Sequence, residues 1–272
     1  MNYLKIIFNF YINSSIHVAL AVCSLLRVTE LYFELPYNKI LNNVVFYGTI
    51  TGYNFVKYAG VAKLHHKSLT KNLKVIQIFS LICFLLLCNY LWRLPVDIIL
   101  FFVPFGVLTL LYAIPVFKRF QKSLRNISYL KIIVVAFVWA GVTVLLPIYE
   151  EVEMFSQFKV FGVFFQRFLL VIVLILPFDI RDMKFDAISL QTIPKKIGVF
   201  KTKLLGVFLV VICFTLELFI TKTYYQRLSL FFTLLVFTFL LLQSKEDQSR
   251  YYSSFLVESV PIIWWGLLVV IT

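Results

Sequence analysis

Three aspartates follow directly on a long apolar run. Asp179, Asp182 and Asp186 are spaced i, i+3 and i+7, and they belong to a chain with only 13 acidic residues. If the segment is helical, all three carboxylates fall on one face, where their like charges repel unless a cation lies among them. Mg²⁺ prefers oxygen ligands of this kind, completed by water and substrate phosphates. The alternative is a solvated loop whose basic neighbours neutralise the acids, and spacing alone does not choose between the two.

The composition indicates the medium in which this segment lies. The chain has 272 residues, of which 61% are hydrophobic and 14% charged, whereas a soluble domain is about half apolar and about a quarter charged. Apolar runs of about 20 residues, enough to cross a hydrocarbon core of roughly 30 Å, recur along the whole chain. We therefore predict an all-α, polytopic integral membrane protein in which residues 1–272 form a single transmembrane domain.

Nine apolar segments are candidate membrane spans. They are residues 10–28, 40–61, 75–92, 97–117, 129–148, 158–177, 203–222, 227–243 and 253–271. With a cytoplasmic N-terminus, most of the 26 basic residues fall on the cytoplasmic side, as the positive-inside rule requires. This orientation puts the three aspartates at the cytoplasmic face of the cell (plasma or inner) membrane. The net charge of +13 does not indicate a nucleic-acid partner, since it is spread over short loops between spans.

The remaining polar groups have more than one interpretation. The first cytoplasmic loop contains His65 and His66, but adjacent histidines do not converge on one ion, so we expect anionic headgroups or a diphosphate there. Arg167, Glu217 and Glu258 lie within spans, where ionisable groups usually face a cavity or a partner. We interpret Arg167 and Glu217 as an interhelix pair, and a transporter that uses such groups as a relay is a further alternative.

The aspartate segment continues into Thr192, Ile193, Pro194 and Gly198. In this form it resembles the second signature of the UbiA-type membrane prenyltransferases, relatives of 4-hydroxybenzoate polyprenyltransferase. That signature is an acidic DxxxD-type run after the sixth span, followed by a Thr-[Leu/Ile]-Pro…Gly tail. The resemblance implies a UbiA-like bundle that transfers an isoprenyl group from an allylic diphosphate to an aromatic or lipophilic acceptor in the membrane.

The resemblance also implies a site and its partners. Mg²⁺ would be held by Asp182 and Asp186, with Asp179 as an additional ligand, and would stabilise the charge that builds on the leaving diphosphate. The expected diphosphate contacts are Asn54, Lys57, Lys63, Arg181 and Lys184. The partners would be a polyprenyl diphosphate, its acceptor and the lipid bilayer, without nucleic acid.

The first signature of this family is incomplete in the chain. Its pattern after the second span is Asn-Asp-x-x-Asp-x-x-x-Asp, and Asn54 matches its first position. The three acidic positions instead carry Phe55, Tyr58 and Ala62. No Asp or Glu occurs between Glu34 and Asp97, so no shift of the alignment restores the acids. Either lysines such as Lys57 and Lys63 replace the missing cation, or the protein is a catalytically inactive member that binds an isoprenoid or quinone.

Overall fold

The fold is built from helices. The computed structural model describes residues 3–64, 71–113, 130–184 and 192–271, and for residues 59–64, 71, 72 and 152 it describes the backbone only. Within these ranges there is no strand. The α-helices are α1 (Tyr3–Asn13), α2 (Ile16–Tyr32), α3 (Lys39–Leu64), α4 (Lys71–Leu91), α5 (Val96–Ala113), α6 (Leu130–Ala140), α7 (Leu146–Ile148), α8 (Gln157–Asp182), α9 (Ile193–Ile197), α10 (Val199–Ile220), α11 (Tyr224–Gln243) and α12 (Val260–Ile271). Two π-helical turns (Gly141–Leu145 and Tyr252–Val257) and a 3-10 helix (Tyr149–Met154) complete them.

Seven segments of the described ranges are long and apolar enough to cross a membrane. They are Leu73–Leu91, Val96–Ala113, Leu130–Glu151, Gln157–Asp182, Val199–Ile220, Tyr224–Gln243 and Tyr252–Ile271. Helices α1 and α2 make an eighth if the pair, bent by 54°, forms one span. The prediction of an all-α, polytopic integral membrane protein is therefore confirmed.

The predicted count of nine spans is not confirmed, and the difference lies in α3. This helix is 26 residues long, but it does not meet the apolar composition of a spanning segment. Its polar residues include Asn42, Thr49, Asn54 and Lys57. Such side chains are costly against lipid, so α3 must turn them towards protein or water.

The helices contact one another in the order of a closed ring. Helix α2 packs on α3, α3 on α4 and α5, α5 on α6, α6 on α8, α8 on α10, α10 on α11, α11 on α12, and α12 on α2. Buried aliphatic and aromatic side chains from these helices form the main core cluster. Few residues of α4 and α5 are buried, whereas most of α8 is. The chain therefore encloses α8, which carries Asp179 and Asp182, among the other helices of the bundle.

The first helical pair is broken at Ser14 and Ser15. Ser15 has φ 64° and ψ 20°, in the left-handed region that residues with a Cβ rarely adopt. Ser14 and Ser15 are 0% and 1% exposed. Because a break leaves backbone groups without helical partners, polar groups here must be satisfied from elsewhere in the protein.

Candidate active site

Asp179 is anchored inside the bundle by a lysine of another helix. Its carboxylate is 0% exposed, and its Oδ1 lies 2.8 Å from Nζ of Lys131 on α6. A buried carboxylate is tolerated in such a position because an ion pair and hydrogen bonds offset the loss of hydration. The sequence predicted Asp179 as an additional metal ligand. The structure shows that one of its oxygens is engaged by a protein cation.

Asp182 lies at the last turn of α8 and is more accessible. Its side chain is 31% exposed, and Arg181 contacts both oxygens, through Nε at 2.8 Å and Nη2 at 3.2 Å. Such a bidentate pair is a strong form of charged hydrogen bond. The predicted helix therefore carries Asp179 and Asp182, but each of the two has its own basic partner. Asp186 lies outside the described residues.

Arg181 also joins α8 to the start of the last span. Its Nη1 donates to Oγ of Ser254 at 3.3 Å and to the carbonyl of Arg250 at 3.4 Å. Gln248 donates from Nε2 to the carbonyl of Pro177 at 2.8 Å, which holds the same connection against α8. These contacts place the segment from Gln248 to Ser254 against the end of α8 that carries Asp179 and Asp182.

Lys184 is placed differently from Arg181. It forms an ion pair with Asp247, and both side chains are exposed. Of Lys63 and Ala62 the structure describes the backbone only, and His65 and His66 lie outside the described residues. Among the predicted diphosphate contacts, the side chains of Asn54, Lys57, Arg181 and Lys184 can therefore be located.

The remnant of the first signature contacts the break between α1 and α2. Asn54 is 3% exposed; its Nδ2 donates to the carbonyl of Ser14 at 3.0 Å, and its Oδ1 accepts from Oγ of Ser15 at 2.8 Å. Nζ of Lys57 donates to Oγ of Ser15 at 2.8 Å. The hydroxyl of Tyr58, at a lost acidic position, donates to the carbonyl of Asn13 at 3.0 Å. Three residues of α3 thus bind three consecutive residues of the break.

Glu258 links the two signature regions electrostatically. It follows the π-helical turn Tyr252–Val257, is half-buried, and interacts electrostatically with Lys57 of α3 and Arg181 of α8. The Lys57 cluster is defined here as Ser15, Asn54, Lys57, Arg181 and Glu258. It contains residues of α3 and α8, the helices in which the two signatures lie.

Sequence reasoning missed several members of this arrangement. Glu258 was noted as an ionisable residue within a span but was not connected with the site, and Lys131 was not recognised as the partner of Asp179. Ser15 gave one weak signal, a pair of serines within the predicted first span. Serine does not by itself indicate a left-handed backbone, so the break at Ser15 could not be predicted from its residue type.

Aromatic side chains lie next to the Lys57 cluster. The hydroxyl of Tyr53 accepts a hydrogen bond from Nε1 of Trp139 at 2.9 Å, with the rings in edge-to-face contact. The hydroxyl of Tyr11 lies 2.7 Å from Nδ1 of His17, and the His17 ring packs on Phe255. Both tyrosines interact electrostatically with Glu258. Rings in fixed orientations can stabilise a nearby positive charge through their faces.

The described residues do not fit a magnesium centre built from two acidic signatures. Within the described ranges, no three His, Cys, Asp or Glu side chains gather closely enough to hold a metal ion. Asp179 is paired with Lys131, and α3 presents Lys57, while Phe55 and Tyr58 stand at acidic positions of the signature. Of the two signature aspartates that the structure describes, Asp182 is the accessible one, so the donor set favours a site in which protein cations balance much of the anionic charge.

A second buried polar group joins α2, α8 and α10 away from the Lys57 cluster. The Arg167 cluster is defined as Tyr32, Gln166, Arg167 and Glu217. The carboxylate of Glu217 accepts hydrogen bonds from Tyr32 and Gln166, each at 2.8 Å, while Arg167 donates to the carbonyl of Leu25 at 2.6 Å. Arg167 and Glu217, predicted as an interhelix pair, interact electrostatically, but each makes its hydrogen bonds to neutral partners, and no ion pair joins these two described side chains.

Comparisons with known proteins match the chain by structure. No protein-family model and no curated protein sequence matches it. The structure of a UbiA homolog from Archaeoglobus fulgidus bound to GPP and Mg²⁺ matches with a TM-score of 0.64 at 12% identity, covering 95% of this chain and 99% of that one. A digeranylgeranylglyceryl phosphate synthase matches with a TM-score of 0.56 at 16% identity, covering 99% and 98%. At these identities the comparisons show the fold, and the predicted UbiA-like bundle is confirmed.

Proposed function

We propose that this protein transfers an isoprenyl group from an allylic diphosphate to an aromatic or lipophilic acceptor within the membrane. The observation that carries the proposal is the Lys57 cluster, which brings the remnants of both signatures together in a bundle with the UbiA fold. One neighbour of that fold holds GPP and Mg²⁺. The other neighbour is a digeranylgeranylglyceryl phosphate synthase, which supports a prenyl-transfer reaction for this chain as well.

The cations of the cluster suit the leaving group. As the allylic carbon–oxygen bond breaks, its electron pair stays on the diphosphate, so negative charge builds there. Lys57 is exposed and lies in the electrostatic range of the same carboxylate as Arg181. An ammonium and a guanidinium fixed at this place would stabilise the growing charge without having to reorganise.

The aromatic residues suit the other half of the broken bond. The allyl group becomes electron-poor as the diphosphate leaves, and the faces of Tyr53 and Trp139 are held in place by their mutual hydrogen bond. Cation–π attraction to such rings would stabilise the allyl group. Enclosure among apolar helices would also keep water from capturing it.

Magnesium remains a prediction for this chain. The neighbour bound to GPP and Mg²⁺ supports it, and Asp182 and Asp186 are its predicted ligands, with Asp179 as an additional one. When bound, Mg²⁺ would neutralise part of the diphosphate charge. Lys57 and Arg181 supply positive charge at the site independently of any metal.

We also propose the setting of the reaction. The protein would lie in the cell (plasma or inner) membrane with a cytoplasmic N-terminus and residues 1–272 forming one domain. The site would then open to the cytoplasm, where soluble diphosphates occur, while the acceptor would enter from the bilayer. The positive-inside distribution of the basic residues supports this orientation.

A catalytically inactive protein that binds an isoprenoid or quinone is the second candidate. It is favoured by the replacement of all three first-signature acids by Phe55, Tyr58 and Ala62. The ion pair that engages Asp179 favours it too. Such a protein would keep an isoprenoid-binding cavity without the charge needed to release diphosphate.

Diphosphate release by the purified protein separates the two candidates. Allylic diphosphates of several chain lengths would be offered with a pool of aromatic and lipid acceptors, over a series of Mg²⁺ concentrations and with a chelator. We expect release in the wild type, at least tenfold slower release in Lys57→Met and Asp182→Asn, and unchanged release in the exposed control Lys222→Met. Wild-type release no faster than that of the two site variants, in folded protein, would overturn the transferase and favour the inactive binder.

A further inference from the structure

We propose that Ser15 is the positioning residue that aims the ammonium of Lys57 at the diphosphate, and that Asn54 holds Ser15 in place for this task. In this arrangement Asn54 and Lys57 of the first signature both bind the break between α1 and α2. Asn54 affects the position of Lys57 through Ser15. The inference deepens the proposed function, because it takes a diphosphate as the ligand of Lys57.

The backbone of Ser15 shows that the break is imposed on this residue. Its φ of 64° lies where glycine is favoured and where a residue with a Cβ is held only by its surroundings. Serine at this position provides a hydroxyl that glycine would lack, and this hydroxyl contacts both Asn54 and Lys57.

The hydrogen bonds around Ser15 form a chain with one direction. Nζ of Lys57 donates to Oγ of Ser15 at 2.8 Å, and this hydroxyl donates to Oδ1 of Asn54 at 2.8 Å. Nδ2 of Asn54 donates to Oγ of Ser80 at 2.8 Å, and Ser80 donates to the carbonyl of Ile76 at 2.7 Å. Each bond polarises the next, so the chain strengthens the acceptor oxygen that Lys57 uses.

The orientation of the Asn54 amide sets the direction of the chain. Its Nδ2 is used by two acceptors, the carbonyl of Ser14 and Oγ of Ser80, so its Oδ1 faces Ser15. The Ser15 hydroxyl hydrogen must then point to Asn54, which leaves its lone pairs for Lys57. The chain offers Lys57 an acceptor in one fixed place.

The ammonium keeps capacity for a ligand. Lysine has three N–H donors, and among the described residues Ser15 is the hydrogen-bond partner of Lys57, so two donors are left for an anion. Glu258 and Arg181 are the charged groups nearby, from the last span and from α8, and Arg250 lies close through its contact with Asn13 at 3.0 Å. A flexible lysine would otherwise sample many rotamers, and fixing it in advance reduces the entropy lost on binding.

Binding of inorganic pyrophosphate tests the proposal without requiring turnover. The full chain in lipid nanodiscs would be titrated by calorimetry as wild type, Ser15→Gly, Lys57→Met and the double variant. Ser15→Gly is compatible with the left-handed backbone and removes the hydroxyl together with its Cβ. We expect Ser15→Gly to weaken binding about tenfold, the size of one charged hydrogen bond, and to have no further effect in the Lys57→Met background.

Two controls separate positioning from folding. Ser24→Ala in α2 removes a hydroxyl whose hydrogen bond goes to the carbonyl of Leu20 in the same helix. This variant should bind pyrophosphate as the wild type does. Ser80→Ala keeps α4 helical and should weaken binding two- to threefold, roughly the effect of loosening a neutral hydrogen bond, again only when Lys57 is present. Ser80→Ala tests the chain of hydrogen bonds from Lys57 to Ser80 even if Ser15→Gly fails to fold.

The outcomes distinguish this inference from the function on which it rests. If the wild type does not bind pyrophosphate, the proposed diphosphate site is wrong. If the wild type binds it and Ser15→Gly binds equally well, Ser15 does not position Lys57. Equal losses for Ser15→Gly with and without Lys57 would also overturn the positioning role, because the hydroxyl would then act through something else.

Discussion

The Lys57 cluster and the Arg167 cluster show two uses of the same residue types inside one bundle. Both contain at least one cation, a glutamate and amide or hydroxyl groups. The Lys57 cluster uses the residue before α2 and the last turn of α8, whereas the Arg167 cluster uses the end of α2 and the first half of α8. In the Arg167 cluster, Arg167 and Glu217 are 1% and 0% exposed and are bonded to neutral groups of neighbouring helices. In the Lys57 cluster, Lys57 is exposed and keeps donors in reserve.

The difference teaches what to look for in a membrane bundle. A buried ionisable group whose donors and acceptors are taken by its own chain joins helices together. An ionisable group that has a single hydrogen-bond partner, other charges nearby and access for a ligand is available to bind that ligand. The transporter interpretation depended on Arg167 and Glu217, and their hydrogen bonds to neighbouring helices support a structural role.

The largest effect that would sharpen this comparison is expected from Arg167→Met. The variant leaves the carbonyl of Leu25 and the hydroxyls of Thr29 and Thr143 without their Arg167 donor inside the bundle, and we expect a loss of stability on the order of 3 kcal/mol. Thermal unfolding in detergent would measure it. Pyrophosphate affinity of the folded fraction should stay within a factor of two or so of wild type, and a larger change would contradict the separation of the two clusters.

A smaller effect is expected from Lys131→Met. It removes the ion-pair partner of the buried Asp179 carboxylate, and because Lys131 is itself partly exposed we expect a loss of about 2 kcal/mol. Adding Asp179→Asn should recover part of that loss, since the uncompensated charge is removed. If the double variant is no more stable than Lys131→Met, Asp179 is not held there as a structural anion.

The smallest effect is expected from Lys184→Ala. Its partner Asp247 is exposed, and so is Lys184, so the pair should contribute less than about 0.5 kcal/mol to stability and less still at high salt. Diphosphate release is the informative measurement here. A loss as large as that of Lys57→Met would extend the binding site to Lys184, as the sequence predicted.

Sequence patterns predicted the fold well because fold depends on features that one sequence displays. Apolar runs predict the membrane helices, and the segment from Asp179 to Gly198 indicates the UbiA type. The weaker result concerns α3, whose polar residues lower its apolar character although it packs within the ring. A count based on hydropathy cannot tell polar residues that face a site from those of a surface helix.

The site was predictable only in part, because its geometry depends on contacts that sequence spacing does not encode. Spacing left two interpretations of the aspartates open, a helical face of carboxylates and a loop neutralised by basic neighbours. The structure has Asp179 and Asp182 on α8 and Arg181 in contact with Asp182. The pairing of Asp179 with Lys131 joins residues 48 positions apart, and the link between Lys57 and Ser15 joins residues 42 positions apart. No local pattern connects such residues.

The bend at Ser14 and Ser15 has a consequence for how the protein is assembled. Within a bilayer, a helix can be interrupted only where its freed carbonyls meet other parts of the protein. The carbonyls of Asn13 and Ser14 meet Tyr58 and Asn54, which are synthesised about 40 residues later. The first two helices therefore cannot settle into their final path during insertion until α3 arrives, and the hydrogen bonds of Ser15 to Asn54 and Lys57 form together with the bend.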